Sequence, residues 1–585
     1  MPGIDYSKRY RDYARFTPAI SEMYTRFVTN ENPKRPCPIP QQDLNYLDPN
    51  SALFHLSHTL YSAGQAAKSD GAAAKTEMVG DRDRSVTTVL GDSGGFQIQM
   101  GSIKFKGDET RNRMMRWMEN NCDWSMILDF PTGGINMGTI DPHTARLMAD
   151  AGAVDPKTGK LIVDSGNKAA LEALCLENGQ SLAYNTCLLQ TLINNDWFVK
   201  NRKPGATKFL NVVQGRNPSE SKIWYEKVKH YPFEGWSLAG PHKENFEMTL
   251  SRIIEMRDEN LLQDKDWMHF LGVGKLQHGC AYTTIQRNVR EHINPNFTIS
   301  YDESSPFTLA AYGKLFLGYT LDKRRWGITG EKFDDREYLA FPHALSGNPE
   351  LIDVPGSRSN LPFLDEVRAL WETKLKEETH GLVLHDDLWD SNSIKIADEI
   401  KNNSRFVETE IGKRLKMSDV CVNVDEKFTS TWDVVTYAMM MNHNVQVHLE
   451  AVFESQDLYD RGDTSRVPAD LLELKEVINE LFVTENPMDF IRKNAKILNC
   501  LAGDAAEGGV MVTEDFDFTN TRVFLSEKDK QKEEAAKLLS TEPTEVVTDL
   551  FVLPAKEVDR VEENRQKASD KSKARKNKTA DEAAA

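Results

Sequence analysis

Four strand-like runs in this sequence end on a carboxylate or an amide, and those ends are where chemistry can be done. The most distinctive is Gly91 to Gln97, Gly-Asp-Ser-Gly-Gly-Phe-Gln, directly after the apolar run Val86 to Leu90. It puts Asp92 at a strand's carboxyl end. Gly94 and Gly95 leave the backbone bare for a close approach, and Phe96 offers a flat apolar face. Asp129 closes the run Trp124 to Leu128, Gln214 closes Phe209 to Val213, and Asp302 closes Phe297 to Tyr301. Two more runs, Trp236 to Leu238 and His269 to Leu271, close on Gly240 and Gly272. Carboxylates, an amide and a bare aromatic face are the inventory of a pocket for a planar polar molecule. The ends so named carry no histidine, which counts against a metal-dependent barrel hydrolase. Taken singly, each residue also has a plainer reading: Asp92 in a turn, Asp129 capping a loop, Asp302 as a helix N-cap, and Gln214 and Gly240 satisfying rim backbone.

To act together, these residues must be carried by a repeating frame. Between the six runs lie helix-like stretches, Thr110 to Asn120, Ser219 to Lys229, Glu244 to Glu259 and Thr283 to His292. Strand–helix units of about 30 residues predict a parallel sheet. Polar groups at many strand ends favour an α/β (β/α)8 TIM barrel over a doubly wound sheet, which gathers its ligands at one switch point. Two poorly readable strands before residue 86 bring the count to eight; the stretch 51 to 62 reads as either strand or helix.

The expected organisation is an N-terminal arm (1–45), a barrel (46–345) with an insertion at about 131–195, a C-terminal helical region (346–526) and a charged tail (527–585). The arm is rich in Tyr, Arg and Pro, and its prolines suit extended chain. The insertion lengthens the step from Asp129 to Gln214. Its piece Asp150 to Asn167 has hairpin-like turn chemistry, and a helix follows from about Lys168 to Leu176. Long amphipathic helices are expected at Leu364 to Glu377, Trp432 to Tyr459 and Ala469 to Phe482. The tail lacks the apolar residues to fold.

A chain of 585 residues exceeds the size of a single simple core. Lys plus Arg is 72 against 89 Asp plus Glu, a net charge of −17, which excludes an all-over basic coat but not a local basic groove. Seven cysteines stand singly with no Cys-x-x-Cys pair, as a reducing compartment allows. No apolar run reaches the roughly 18 residues of a membrane span. A soluble cytoplasmic protein is expected. His380, His385, His443 and His448 lack a diagnostic ligand spacing and read as surface or packing residues.

Set in order, GDSGGFQ, ILDF, NVVQG, WSLAG, HFLGVGK and YDESSP, over roughly residues 86 to 310, resemble the tRNA-guanine transglycosylase superfamily. The resemblance implies a (β/α)8 barrel that exchanges guanine in a nucleic acid for a free 7-deazaguanine base. By position in the family, Asp302 is the nucleophile, forming a covalent glycosyl ester, and Asp92 the general acid and base. Asp129 takes the N1–H and amino donors of guanine, Gln214 and the Gly240 N–H take O6, and Phe96 and Leu271 cover the two faces. The chemistry fits: a carboxylate matches two donors and an amide matches one acceptor, whereas adenine reverses the pattern. No redox cofactor or nucleoside triphosphate is implied.

The tRNA enzymes are similar in carrying three close cysteines and a histidine for zinc after the nucleophile. Here the next cysteine after Asp302 is Cys421. With that zinc site missing from the sequence, and with the insertion and C-terminal helices, the chain most resembles the phage and bacterial branch that modifies DNA. The implied partner is therefore DNA, with tRNA as the alternative, and a non-catalytic nucleic-acid-binding barrel is the rival from another class. Flipping a base from duplex DNA needs backbone contacts. Lys104, Lys106, Arg111 and Arg113, the stretch Lys200 to Lys208, and Lys323 to Arg325 are the basic candidates, each reading equally as a solvated face.

Overall fold

Short strands whose alternate residues point to opposite sides, each followed by a helix, close here into an eight-stranded parallel barrel. The strands in chain order are β1 (Arg15–Pro18), β2 (His58–Ser62), β3 (Thr88–Asp92), β4 (Trp124–Met126), β5 (Lys208–Val213), β6 (Gly235–Leu238), β7 (Trp267–Phe270) and β8 (Thr298–Glu303). The sheet runs β1-β8-β7-β6-β5-β4-β3-β2. A parallel bridge between Ala19 and Leu60 draws its two ends together. That seam is thin because Pro18 ends β1 and has no N–H to donate; the Thr59 hydroxyl instead bonds the Pro18 carbonyl at 2.7 Å. The computed structural model describes residues 2–29, 33, 35–75, 77–99, 102–133, 135–136, 139–140, 165–333, 361–384, 391–421, 432–502 and 522–523. Residues 150–164 of the expected hairpin, His385 and the tail 527–585 lie outside them.

Trp124 on β4 and Trp267 on β7 meet with ring centroids 5.2 Å apart although two strands separate them in the sheet, so both fill the barrel's interior. Phe270, one side over, faces outward and stacks on Tyr282 at 4.0 Å. This alternation decides which β7 residues reach the site.

The helices that follow the strands are α1 (Glu22–Thr29), α2 (Ala63–Ala66), α3 (Asp108–Asn121), α4 (Leu182–Asn201), α5 (Pro218–Val228), α6 (Phe246–Asp258) and α7 (Leu276–His292). Local chemistry starts them: Asn217 caps α5 by accepting the Glu220 N–H at 3.0 Å, with Pro218 at the first helical position. The last barrel position is filled from far along the chain. α8 (Val434–Arg461) packs against α1 and α7, begins at the Asp433 cap and stops at left-handed Gly462. Two of its buried polar residues tie it to its surroundings: Asn444 accepts the Phe316 N–H at 2.8 Å, and Gln456 accepts the Thr283 hydroxyl of α7 at 3.0 Å.

Three expected boundaries change. The barrel begins inside the expected arm, since Arg15–Pro18 is β1. The arm's Tyr6 hydroxyl and Arg9 both bond Glu450 of α8, and Tyr13 bonds Asp457 at 2.8 Å, so its aromatic and basic residues clamp that helix. The helical region is not separate at α8. The insertion is also shorter than 131–195, because α4 packs between α3 and α5 as an ordinary barrel helix. Its buried Asn185, Thr191, Asn194 and Asn195 blur the apolar stripe that would have marked it. Among the described residues no helix is long and apolar enough to cross a membrane.

Candidate active site

The carboxyl ends of β3, β4, β5, β6, β7 and β8 bring the expected residues together. Ser62 pairs in register with Asp92 at the ends of β2 and β3. Asp129 follows β4 in a loop that α4 holds: Phe130 donates its N–H to the Thr191 hydroxyl at 3.0 Å, and Asn194 donates to the Leu128 carbonyl at 2.7 Å. Gln214, just past β5, donates through Nε2 to Asp129 Oδ2 at 2.6 Å. Gly240 after β6 has φ +64°, and a Cβ there would stand 3.6 Å from Gln214 Oε1, which places this backbone against the amide. Asp129, Gln214 and Gly240 thus form one contiguous polar wall.

The two glycines of Gly94-Gly95 approach the protein itself. Gly94, at φ +88°, lies on Gly64 so closely that a Cβ would come within 2.6 Å of the Gly64 Cα. A Cβ on Gly95 would reach 2.8 Å from the Asp129 carbonyl. Their bareness seats the β3 end against its neighbours. Phe96 rides on the short helix Gly95–Gln99 and is 61% exposed. Leu271, partly buried, lies directly before Gly272 beyond β7.

Asp302 lies inside β8 and is 8% exposed. Two donors converge on its Oδ1: the Gly272 N–H at 2.8 Å and His269 Nε2 at 3.2 Å. The Val273 N–H takes the Asp302 carbonyl at 2.6 Å, so the Gly272-Val273 turn grips this residue twice. His269 is the residue that reading strand ends missed; it shares the interior face of β7 with Trp267, two positions away. Counting in twos from Trp267 would have found it.

Electrostatics separates the carboxylates. Burial raises the Asp92 carboxyl above its usual range, with the charge of Asp302 adding to the shift, while Ser62 and the Gly94 N–H pull it down. Asp129 is pushed up to about 6, first by burial and then by the charge of Asp92, against the Gln214 bond. Removing water makes each charge costlier, and neighbouring like charges compound that cost. Asp92 and Asp129 therefore both hold a proton more readily than a solvated carboxylate, and Asp92 feels the charge of Asp302 directly.

The arrangement offers a held carboxylate, a second carboxyl of raised proton affinity beside it, and a carboxylate–amide wall for a polar edge. Among the described residues no three His, Cys, Asp or Glu converge as a metal site. His443 and His448 are packing residues, one bonded to Thr409 and the Phe316 carbonyl, the other stacked on Phe16 at 4.3 Å. A cavity of about 720 Å³ is lined by Gly274–His278 on one side and by Lys323, Arg324 and Trp326–Ile328 on another, and Asp92, Asp129 and Asp302 do not line it.

The basic stretches are mostly committed within the protein. Arg111 bonds Asn194 and Asp108, and Arg113 bonds the Ala67 carbonyl and Glu109. Lys323 and Arg324 pair with Glu399, and Arg325 pairs with Glu378. Lys208 begins β5 and so stands at the opposite end of the barrel from Asp302.

Fold and site together define an α/β barrel with a multi-carboxylate centre at its carboxyl face, the face on which barrel enzymes build their sites. No protein-family model matches this chain, and no curated protein matches it.

Proposed function

We propose that this protein is a transglycosylase that exchanges guanine in DNA for a 7-deazaguanine base through a covalent aspartyl-glycosyl intermediate. The observation that carries the reading is the contrast between two neighbouring carboxyls: Asp302 held through one oxygen by two donors, and Asp92 with its proton affinity raised. In the proposed reaction Asp302 attacks C1′ of the sugar, and the C1′–N9 electron pair leaves with guanine, which takes a proton from Asp92. The incoming base then gives its N9 proton to Asp92 and attacks C1′, and the ester's electron pair returns to Asp302. Asp129 accepts the donors of the purine edge, Gln214 and the Gly240 N–H serve O6, and Phe96 and Leu271 supply the faces. For Gln214 to do so, its amide must turn from Asp129 toward the base, so the 2.6 Å bond is the resting arrangement.

DNA is preferred over tRNA because the Cys-rich segment of the tRNA enzymes has no counterpart after Asp302. The test is incubation of the full chain with radiolabelled guanine and either duplex DNA or tRNA. Label is expected in DNA and none with Asp302→Ala. Incorporation into tRNA alone would overturn the choice of polymer, and exchange unaffected by Asp302→Ala would overturn the mechanism.

A further inference from the structure

We infer that His269 is a positioning residue for Asp302, and that it assigns Oδ2 as the oxygen that attacks C1′. This inference rests on the reading of Asp302 as the nucleophile. Two residues before His269 stands an indole, which can only donate. Trp267 Nε1 donates to the Ser300 hydroxyl oxygen at 2.7 Å. The same hydroxyl meets His269 Nδ1 at 2.8 Å, and with its oxygen already accepting from the indole its proton is available to Nδ1. An imidazole that accepts at Nδ1 carries its proton on Nε2, and Nε2 lies 3.2 Å from Asp302 Oδ1. Trp267, Ser300 and His269 are all buried, so no water competes for these bonds. A carboxylate oxygen can only accept, so the ring donates to it from Nε2, and the Ser300 hydroxyl oriented by the indole supports that arrangement at Nδ1.

His269 and the Gly272 N–H both land on Oδ1, and among the described residues Oδ2 receives no hydrogen bond. The carboxylate is thus divided into a held oxygen and a reacting one. When Oδ2 bonds to C1′, Oδ1 becomes the ester carbonyl and keeps both donors. When the incoming base displaces Asp302, the C1′–Oδ2 pair returns to the carboxylate, and the same two dipoles stabilise the charge that develops there. Their orientation is set before the reaction, so they need no rearrangement during it.

The experiment compares wild type, His269→Phe, His269→Gln and Ser300→Ala as full chains. Steady-state guanine exchange is read alongside trapping of the covalent DNA adduct on denaturing gels, melting temperature, and the 15N shifts of His269. His269→Phe is expected to lower kcat about 10- to 100-fold, the loss of one charge-assisted bond, with KM for guanine within about twofold. The adduct persists longer than in wild type because departure of Asp302 is slowed. His269→Gln, which keeps an N–H donor, recovers part of kcat. Ser300→Ala, which keeps the ring but not the tautomer control, loses about 3-fold or more by losing part of the same bond. The inference is overturned by His269→Phe with kcat within twofold of wild type, or by losses in Phe and Gln that are equal and track melting temperature. If His269→Phe does not fold, unchanged kcat in Ser300→Ala overturns the relay. The 15N shifts keep the two readings apart: a wild type that shows no exchange defeats the proposed function, whereas an Nδ1-protonated His269 defeats this inference whether or not exchange occurs.

Discussion

The two ends of this barrel use the same residue type in opposite ways. At the amino-terminal ends of the strands, the carboxylate that precedes each of three strands is neutralised or tied down. Asp123 before β4 takes Arg82 at 2.7 Å and the Val89 N–H at 2.8 Å, Glu234 before β6 takes Arg202 and the Phe209 N–H, and Asp266 before β7 takes Asn294. Cations also cover the interior tryptophans there, Lys208 over Trp124 at 4.6 Å and Arg15 over Trp267 at 5.4 Å. At the carboxyl ends, Asp92, Asp129 and Asp302 meet amides, hydroxyls, an imidazole and one another, with no Lys or Arg among their described ion pairs. A charge answered by a guanidinium, as at Asp123 and Glu234, contributes to stability; the three carboxyls at the other end, answered by neutral dipoles and one another, keep a proton affinity that their surroundings can adjust. The barrel thus separates what holds it together from what can react.

Breaking the stabilising end should give the largest change in folding. Arg82 donates to the Val79, Thr87 and Asn121 carbonyls, the Thr87 hydroxyl and Asp123, and its side chain is fully buried. Arg82→Ala removes all of those bonds and leaves the Asp123 charge without its guanidinium, and is expected to cost roughly 3 kcal/mol of stability, read by urea denaturation, with kcat of the folded fraction unchanged. A fall in kcat without loss of stability would erase the distinction between the ends.

The reacting end should respond with the opposite sign. Asp129 titrates at about 6 in the folded chain, above the usual carboxylate value of 3.8. Its protonated form is therefore favoured by folding: that stabilisation is fully present below pH 3.8 and is lost as pH rises through 6. Asp129→Asn keeps an acceptor for Gln214 and removes the buried charge. The variant should be more stable than wild type by on the order of 2 kcal/mol at about pH 8 and gain nothing at about pH 3.5, while losing guanine binding. Equal stability at both pH values would show that burying this charge carries no cost.

How much of this was legible in the sequence depended on whether a residue's role shows in its own neighbourhood. The carboxylates were readable because an acidic residue ending an apolar run has no packing purpose, and six strands were readable from such runs. β1 was not: four residues, Arg-Phe-Thr-Pro, present no run, and only pairing with β8 makes them a strand. β2 was ambiguous because all five of its residues are buried, which removes the alternation. α8 as a barrel helix could not be read, since its partners Tyr6, Arg9 and Tyr13 lie more than four hundred positions away. The packing of Gly94 on Gly64 could not be read for the same reason, its partner being thirty residues upstream.

The smallest expected effect tests the comparison where it bears on the nucleic acid. Lys200, Lys203 and Lys208 are exposed and cluster before and at the start of β5, at the stabilising end, so a polymer engaged at Asp302 does not reach them. Lys243 and Lys275 stand at the other end: Lys243 donates to the carbonyl of Gly272, whose N–H holds Asp302, and Lys275 is exposed two residues past Val273. The triple variant Lys200→Ala, Lys203→Ala, Lys208→Ala should leave DNA affinity within about twofold and its salt dependence unchanged. Lys243→Ala with Lys275→Ala should flatten the salt dependence by about one counterion for each phosphate no longer neutralised. Titration of a labelled duplex over a range of salt reads both. Were the triple variant to flatten it instead, DNA would be tracking the end of the barrel that carries no reacting groups, and the division between the two ends would fail at its function.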